Sequence, residues 1–151
     1  MIANRGEIAI RIARAASALG LESVSVYAPA DALSLHTRVT TNSRALGMSQ
    51  APSSDPVRCY LDVEALIEAA KAARCDCLHP GYGFLSENAG FAKRCLEEGV
   101  AFIGPRPETL ALFGDKTKAR ELARSIGIPI IPGSPRALAS ADEAAAVAEA
   151  I

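Results

Sequence analysis

Short apolar runs alternate along this chain with segments whose apolar residues recur at helical spacing. The apolar runs lie at Ser23–Tyr27, Cys75–Leu78 and Val100–Ile103, and helical segments separate them. A strand buried on both faces has a continuous apolar run, and a crossover helix between two such strands makes them parallel. The pattern therefore predicts an α/β fold, a three-layer open parallel sheet with helices on both faces.

Glycine, proline and capping residues set the predicted helix bounds. Helices are predicted at Glu7–Leu19, Asp62–Arg74, Glu87–Glu98, Pro107–Phe113, Gly114–Ile126 and from Ser140 to the end of the chain. The first helix is expected to place Ile8, Ile12, Ala15, Ala16 and Leu19 on one face, and the third to place Phe91, Cys95 and Leu96 on its apolar side. The segment 48–58 is predicted to be a surface loop because it is rich in proline and serine. Ile2–Ala3 is expected to end a strand and the last helix to continue, so we expect the chain to be part of a longer polypeptide.

Composition and cysteine spacing exclude several classes of function. The net charge of −1 argues against general nucleic-acid or membrane-surface binding, which requires concentrated positive charge. No apolar run has the length of a membrane span, and the first residues lack the features of a signal peptide. The four cysteines do not have the spacing of a zinc site, and His36 and His79 do not complete one. We therefore predict no metal site, reduced cysteines and an intracellular, cytoplasmic location.

The segment His79–Asn88 is the strongest candidate for a binding loop. It follows a predicted strand and precedes a predicted helix, and ligands of open α/β sheets bind at the carboxyl ends of strands. Gly81 and Gly83 permit close approach of the backbone to a ligand, and Tyr82 offers an apolar ring with a polar tip. The loop lacks the third glycine of a dinucleotide motif and the Gly-Lys-Ser/Thr of a P-loop. Its pattern therefore indicates a binding loop of another class.

Two long strings identify a family that the chain resembles. Residues 4–9 read NRGEIA and residues 79–88 read HPGYGFLSEN, and Phe102–Pro105, Gly114–Lys116 and Pro132–Gly133 follow in order. Together they resemble the N-terminal domain of biotin carboxylase, in the ATP-grasp superfamily. The resemblance implies a Rossmann-like pre-ATP-grasp domain at 1–133, and at 134–151 a linker with the truncated start of the ATP-grasp domain. It also implies an ATP-dependent ligase that uses MgATP and bicarbonate to carboxylate biotin on a carrier domain.

The resemblance implies roles for individual residues. Lys116 is expected to contact ATP, and Tyr82 and Gly83 are expected to line the biotin pocket. Glu87 is a weaker candidate, because an acid there could equally stabilise a helix N-terminus. We expect the Tyr82 turn and the helix start at Lys116 to face a shared cavity. No catalytic residue is assigned, because the family supplies the magnesium ligands and catalytic groups beyond this region, and the fragment is expected to be inactive alone.

The implied partners are the remainder of the carboxylase polypeptide, the biotin carboxyl carrier domain and the carboxyltransferase. A homo-oligomer of the parent is also implied, with Arg11 and Arg14 where family members have a subunit contact. In a eukaryote the location could be mitochondrial. Two alternatives stay open: the preceding domain of another ATP-grasp ligase, or a truncated, non-catalytic copy. The sequence does not distinguish an acyl-CoA, pyruvate or urea carboxylase, because the carboxyltransferase chooses the acceptor.

Overall fold

The computed structural model describes residues 1–47, 56–134, 136 and 138–150 of the chain. The chain divides into two compact units, Met1–Pro107 and Glu108–Ile151. Each unit is described by itself below.

The described residues of the first unit form four short strands and three α-helices. The strands are β1 (Val24–Tyr27), β2 (Asn42–Ala45), β3 (Cys77–Leu78) and β4 (Ala101–Phe102). The helices are α1 (Gly6–Ala18), α2 (Val63–Ala72) and α3 (Ala89–Glu97), and 3-10 turns lie at Pro29–Asp31, Leu35–Thr37 and Pro56–Leu61. β1 pairs with β2 and β3 pairs with β4, both in parallel. Parallel strands alternating with helices confirm the predicted α/β class.

The first three residues join the two strand pairs. Ile2 forms parallel bridges to Ser25 and to His79. The Ile2 N–H donates to the Val24 carbonyl at 2.8 Å, and the Ala3 N–H donates to the His79 carbonyl at 2.9 Å. The segment therefore lies between β1 and β3, and its backbone pairs with both, in agreement with its predicted strand character.

The core has two parts, one on each face of this sheet. Ile2 packs with Ala9 and Ala13 of α1, whereas Met1 and Ala3 belong to the larger cluster that holds the side chains of α2 and α3. Successive residues of a strand point to opposite faces, so this division places helices on both faces. The predicted three-layer arrangement is confirmed.

The predicted apolar faces of α1 and α3 are buried only in part. In α1 the fully buried residues are Ala9 and Ala13, because only small side chains allow the helix to approach the sheet closely. Leu19 is 74% exposed, since it lies after the last helical residue, and Ala15 is exposed as well. In α3 the buried residues include Phe91 and Cys95 as predicted, but Leu96 is 56% exposed.

Strand β2 was not predicted from the sequence. Three of its four residues, Asn42, Ser43 and Arg44, are polar, and all four are exposed or half-buried, so β2 has no apolar run. Backbone pairing defines the strand: the Asn42 N–H donates to Ser23 O at 3.1 Å and the Leu46 N–H donates to Tyr27 O at 2.8 Å. Of the predicted loop 48–58, residues 48–55 lie outside the described residues, and the rest belongs to the 3-10 turn Pro56–Leu61.

The second unit carries α4 (Pro107–Phe113), which starts at its boundary, α5 (Lys116–Ser125) and α6 (Ala141–Ala150). Ser140 Oγ accepts a hydrogen bond from the Glu143 N–H at 3.2 Å, which confirms the predicted cap of the last helix. The Arg120 guanidinium donates to Ile131 O at 2.9 Å and to Ser134 O at 3.4 Å. These bonds hold the segment after α5 against that helix. Within the described part of the chain, no helix has the length and apolar character needed to cross a membrane.

Candidate functional site

The loop between β3 and α3 turns sharply at its two glycines. Gly81 and Gly83 have φ angles of 72° and 71°, in the left-handed region that favours glycine. The loop directs Tyr82 outward, with 79% of its surface exposed. It directs Phe84 inward, where its ring stacks on Tyr60 with the ring centroids 5.5 Å apart. The turn thus exposes the Tyr82 ring, while the stacking of Phe84 on Tyr60 anchors the backbone of the loop.

Space is available around the tip of this turn. Apart from Gly83 itself and its two chain neighbours, no heavy atom lies within 4 Å of the position that a Cβ on Gly83 would occupy. In the first unit, a cleft of about 850 Å³ has Ile8, Ile12, Cys77, His79, Tyr82 and Ile103 among its lining residues. The volume is typical of a small-molecule site, and such sites are mostly apolar with a few polar groups. Tyr82 lines this cleft, and Gly83 next to it has an open face.

His79 has a structural place at the base of the turn. Its Nδ1 accepts a hydrogen bond from the Gly81 N–H at 3.0 Å. Burial lowers the pKa of His79, and the ammonium group of Met1 lowers it further. A neutral imidazole that fixes the turn agrees with the absence of any chemical step assigned to it.

An ionic network lies next to the loop and joins the buried Asp31 and Tyr60 to the partly exposed Arg5. The Arg5 guanidinium donates to both carboxylate oxygens of Asp31, at 2.7 and 2.5 Å. The Tyr60 hydroxyl donates to Asp31 Oδ2 at 2.7 Å and accepts from the Ala28 N–H at 3.0 Å. The paired guanidinium lowers the pKa of Asp31 to about 2, against the opposing effect of burial. Burial raises the pKa of the Tyr60 phenol.

This network connects the loop to the N-terminal turn. The Arg5 guanidinium lies over the Tyr60 ring, 5.9 Å from its centroid, and Tyr60 in turn supports Phe84. His36, which is buried, places its Nε2 3.2 Å from the Val26 carbonyl, and burial lowers its pKa. The chain of contacts therefore fixes the first turn, the segment after β1 and the loop after β3 in one arrangement.

Sequence reasoning did not find this network. It gave Arg5, Asp31 and Tyr60 no role in the site. The local signal available for Asp31 was its position just after a predicted strand and a proline. Its partners are 26 and 29 residues away, and no local pattern indicates pairs so far apart.

Glu87 and Lys116 occupy different local environments. Helix α3 starts at Ala89 with Asn88 as its N-cap, so the exposed Glu87 lies in the preceding turn and not in the helix. Lys116 is the first residue of α5 and is exposed. The capping Asp115 carboxylate accepts from the N–H groups of Thr117 and Lys118. Lys116 belongs to the second unit, and the shared cavity with the Tyr82 turn stays a prediction.

Lys116 is suited to an anionic ligand by its surroundings. Among the described residues, none forms a hydrogen bond or ion pair with its ammonium group. A cation at a helix N-terminus is unfavourable because it lies beside the positive end of the helix dipole. A bound phosphate would compensate both the ammonium charge and the positive end of the dipole. For Mg²⁺ the described residues do not fit, because they contain no cluster of three or more His, Cys, Asp or Glu side chains that could hold a metal ion.

Comparison with known proteins decides the family. The family described as "Biotin carboxylase, N-terminal domain" matches residues 1–110. The chain belongs to this family. It is 51% identical over 134 residues to pyruvate carboxylase of Bacillus subtilis (strain 168), covering 89% of this chain and 11% of that protein. It is 43% identical over 151 residues to biotin carboxylase 2 of the same organism, covering 100% of this chain and 33% of that protein.

Solved structures agree with this assignment. The biotin carboxylase domain of a single-chain bacterial carboxylase superimposes with a TM-score of 0.86 and 51% identity, over 99% of this chain and 33% of that one. The biotin carboxylase domain of 2-oxoglutarate carboxylase from Hydrogenobacter thermophilus, in complex with MgADP, ADP and bicarbonate, gives 0.89 and 36%, over 99% and 32%. The biotin carboxylase N-terminal domain described here thus spans a third or less of these relatives.

Proposed function

We propose that this chain is the N-terminal part of a biotin-dependent carboxylase, an ATP-dependent ligase that carboxylates carrier-bound biotin using MgATP and bicarbonate. The observation that carries the proposal is the Tyr82–Gly83 turn. It combines an exposed aromatic ring with an open glycine face, in a chain that belongs to the biotin carboxylase N-terminal family. In this function the turn forms one wall of the biotin pocket.

Lys116 supplies the proposed contact to ATP. Its ammonium group is exposed at the start of α5, and a lysine acts as a mobile point charge toward phosphate. The relative solved with MgADP and bicarbonate supports nucleotide and bicarbonate as ligands of the complete enzyme. The proposal assigns the magnesium ligands and the catalytic groups to the rest of that enzyme. Glu87 is a secondary candidate that would act next to the turn.

The partners follow from the same proposal. The chain would join the remainder of the carboxylase, whose ATP-grasp domain begins in residues 134–151, and would receive biotin from a carrier domain that also visits a carboxyltransferase. Relatives include a complete multifunctional pyruvate carboxylase and a single-chain long-chain acyl-CoA carboxylase, so both kinds of acceptor are compatible. A homo-oligomer, and a cytoplasmic or mitochondrial location, belong to the proposal as well.

A chimera tests the function. The aligned third of B. subtilis biotin carboxylase 2 is replaced by residues 1–151, a substitution between sequences that are 43% identical. We expect the chimera to release ADP in response to biotin and bicarbonate, and the 151-residue chain alone to release none above background.

The controls separate the alternatives. The relative lacking this region should be inactive, and the intact relative should be active. A folded chimera that binds MgATP but does not respond to biotin would contradict the proposal and favour another ATP-grasp ligase or a non-catalytic copy. ADP release by the isolated chain would contradict the expectation that the fragment is inactive.

A further inference from the structure

The side chain of Asn4 connects the N-terminal turn to the binding loop. Asn4 is 2% exposed. Its Nδ2 donates to the Pro80 carbonyl at 2.8 Å and to the Tyr82 carbonyl at 2.9 Å. Both N–H groups of the amide are therefore used, and both bonds end on the loop, 76 and 78 residues away in sequence.

The other end of Asn4 is fixed as well. Its Oδ1 accepts from the Arg5 N–H at 2.9 Å, and Arg5 is held by its paired bonds to Asp31. The loop lies close against Asn4: a Cβ on Gly81 would come within 2.7 Å of Asn4 Nδ2 and 2.8 Å of Ile8 Cγ2. Asn4 thus has no freedom to turn away from the loop.

We propose that Asn4 is a positioning residue for the biotin-binding turn. It holds the Tyr82 carbonyl and so fixes the peptide plane between Tyr82 and Gly83, the two residues that face biotin. This inference rests on the proposed function, because it takes the turn to be a wall of the biotin pocket. Asn4 itself does not need to touch biotin.

The two donated bonds require an amide at this position. An aspartate has the same shape and would keep the bond from the Arg5 N–H, but its second oxygen would face two carbonyl oxygens. A buried charge without a partner is strongly disfavoured, so the loop would move away. An alanine removes both donors without adding charge, and leaves the Pro80 and Tyr82 carbonyls without their present partner.

Asn88 offers a matched control. Its Oδ1 accepts from the Phe91 N–H at 2.8 Å as the N-cap of α3, and a carboxylate serves that role equally well. The same substitution of an amide by a carboxyl is therefore expected to disturb the loop at Asn4 and to be tolerated at Asn88.

Hydrogen exchange of the chain measures the turn without biotin. The amides of Gly81 and Ser86 both donate inside the loop, to His79 Nδ1 at 3.0 Å and to Gly83 O at 2.9 Å. In Asn4→Asp and Asn4→Ala we expect both amides to exchange about tenfold faster or more, from the loss of two hydrogen bonds. The Ala101 amide, bonded to Asp76 O in the sheet, should be unchanged, as should all three amides in Asn88→Asp.

The chimera supplies the second readout. We expect Asn4→Ala to raise the KM for biotin about tenfold while the KM for ATP stays constant. Unchanged exchange at Gly81 and Ser86 in a folded Asn4→Ala chain would overturn the role of Asn4, even if Tyr82→Ala raises the biotin KM. Equal acceleration of all three amides would also overturn it, because that is a global loss of stability. A loosened turn with an unchanged biotin KM would instead contradict the proposed biotin pocket, and the inference with it.

Discussion

The ionic pair next to the loop gives a quantitative prediction. Arg5 and Tyr60 lower the pKa of Asp31 from an ordinary 3.8 to about 2. Each pKa unit corresponds to about 1.4 kcal/mol, so the native environment stabilises the ionised carboxylate by about 2 kcal/mol. Asp31→Asn should therefore lower the free energy of unfolding by about 2 kcal/mol at pH 6. A loss of 3–5 kcal/mol, common for a broken buried pair, is not expected, because the Arg5 side chain is 43% exposed and can be rehydrated.

The sign of the pH dependence follows from the lowered pKa. Above about pH 4 the carboxylate is ionised in both the folded and the unfolded chain, and its contribution to stability is complete. As the pH falls from about 4 to about 2, the unfolded chain takes up the proton first and the contribution is lost. The difference between the wild type and Asp31→Asn should thus be about 2 kcal/mol at pH 6 and should approach zero near pH 2.

Tyrosine fluorescence in urea is the appropriate assay. The chain has no tryptophan and three tyrosines, and Tyr27, Tyr60 and Tyr82 all lie in the unit Met1–Pro107, so the signal reports that unit alone. Glu64→Gln is the control: Glu64 pairs with Arg94 at the surface, and exposed pairs contribute little. An Asp31→Asn effect that is independent of pH, or no larger than that of Glu64→Gln, would refute the reasoning.

Three further predictions concern the core, a thiol and a helix cap. Phe91 is fully buried, with its ring edge-to-face to Phe102 at 5.9 Å, so Phe91→Ala should cost about 3–5 kcal/mol in urea unfolding; less than 1 kcal/mol would contradict this packing. Burial raises the pKa of the Cys95 thiol to about 11, so at pH 8 in the folded chain Cys95 should resist iodoacetamide by mass spectrometry, whereas rapid labelling would place the thiol at the surface. Asp115→Ala removes the acceptor for the first turn of α5 and should destabilise that helix by about 1 kcal/mol; unchanged amide exchange at Lys118 would argue against the cap.

The sequence was sufficient for the elements with strong local signals. The helix Pro107–Phe113 has the predicted bounds, and Ser140 caps the last helix as predicted, because both features depend on residues only a few positions apart. β2 could not be predicted, since its polar residues are held by backbone pairing with β1. Periodicity places Leu19 on the apolar face of the first helix, but it does not show that contact with the sheet ends before this residue.

The candidate site also has one part that the sequence predicts and one part that it does not. The exposed Tyr82 and the two glycines with positive φ follow from a local string, and the structure places them in the loop at the carboxyl end of β3. Asn4, Arg5, Asp31 and Tyr60 support that loop through contacts that only the fold brings together. Their importance depends on distances in the folded structure, and these cannot be read from the spacing of residues along the chain.

The central claim is that the Tyr82–Gly83 turn binds biotin while Lys116 binds ATP, and separate KM values in the chimera test it most directly. Removing the Tyr82 ring should raise the KM for biotin alone, whereas Tyr82→Phe should remain near wild type because it keeps the stacking face. Lys116→Ala should raise the KM for ATP alone, with Lys118→Ala as its neighbour control. If Tyr82→Ala left the biotin KM unchanged, or if both substitutions altered the two KM values equally, the assignment of these two sites would be wrong.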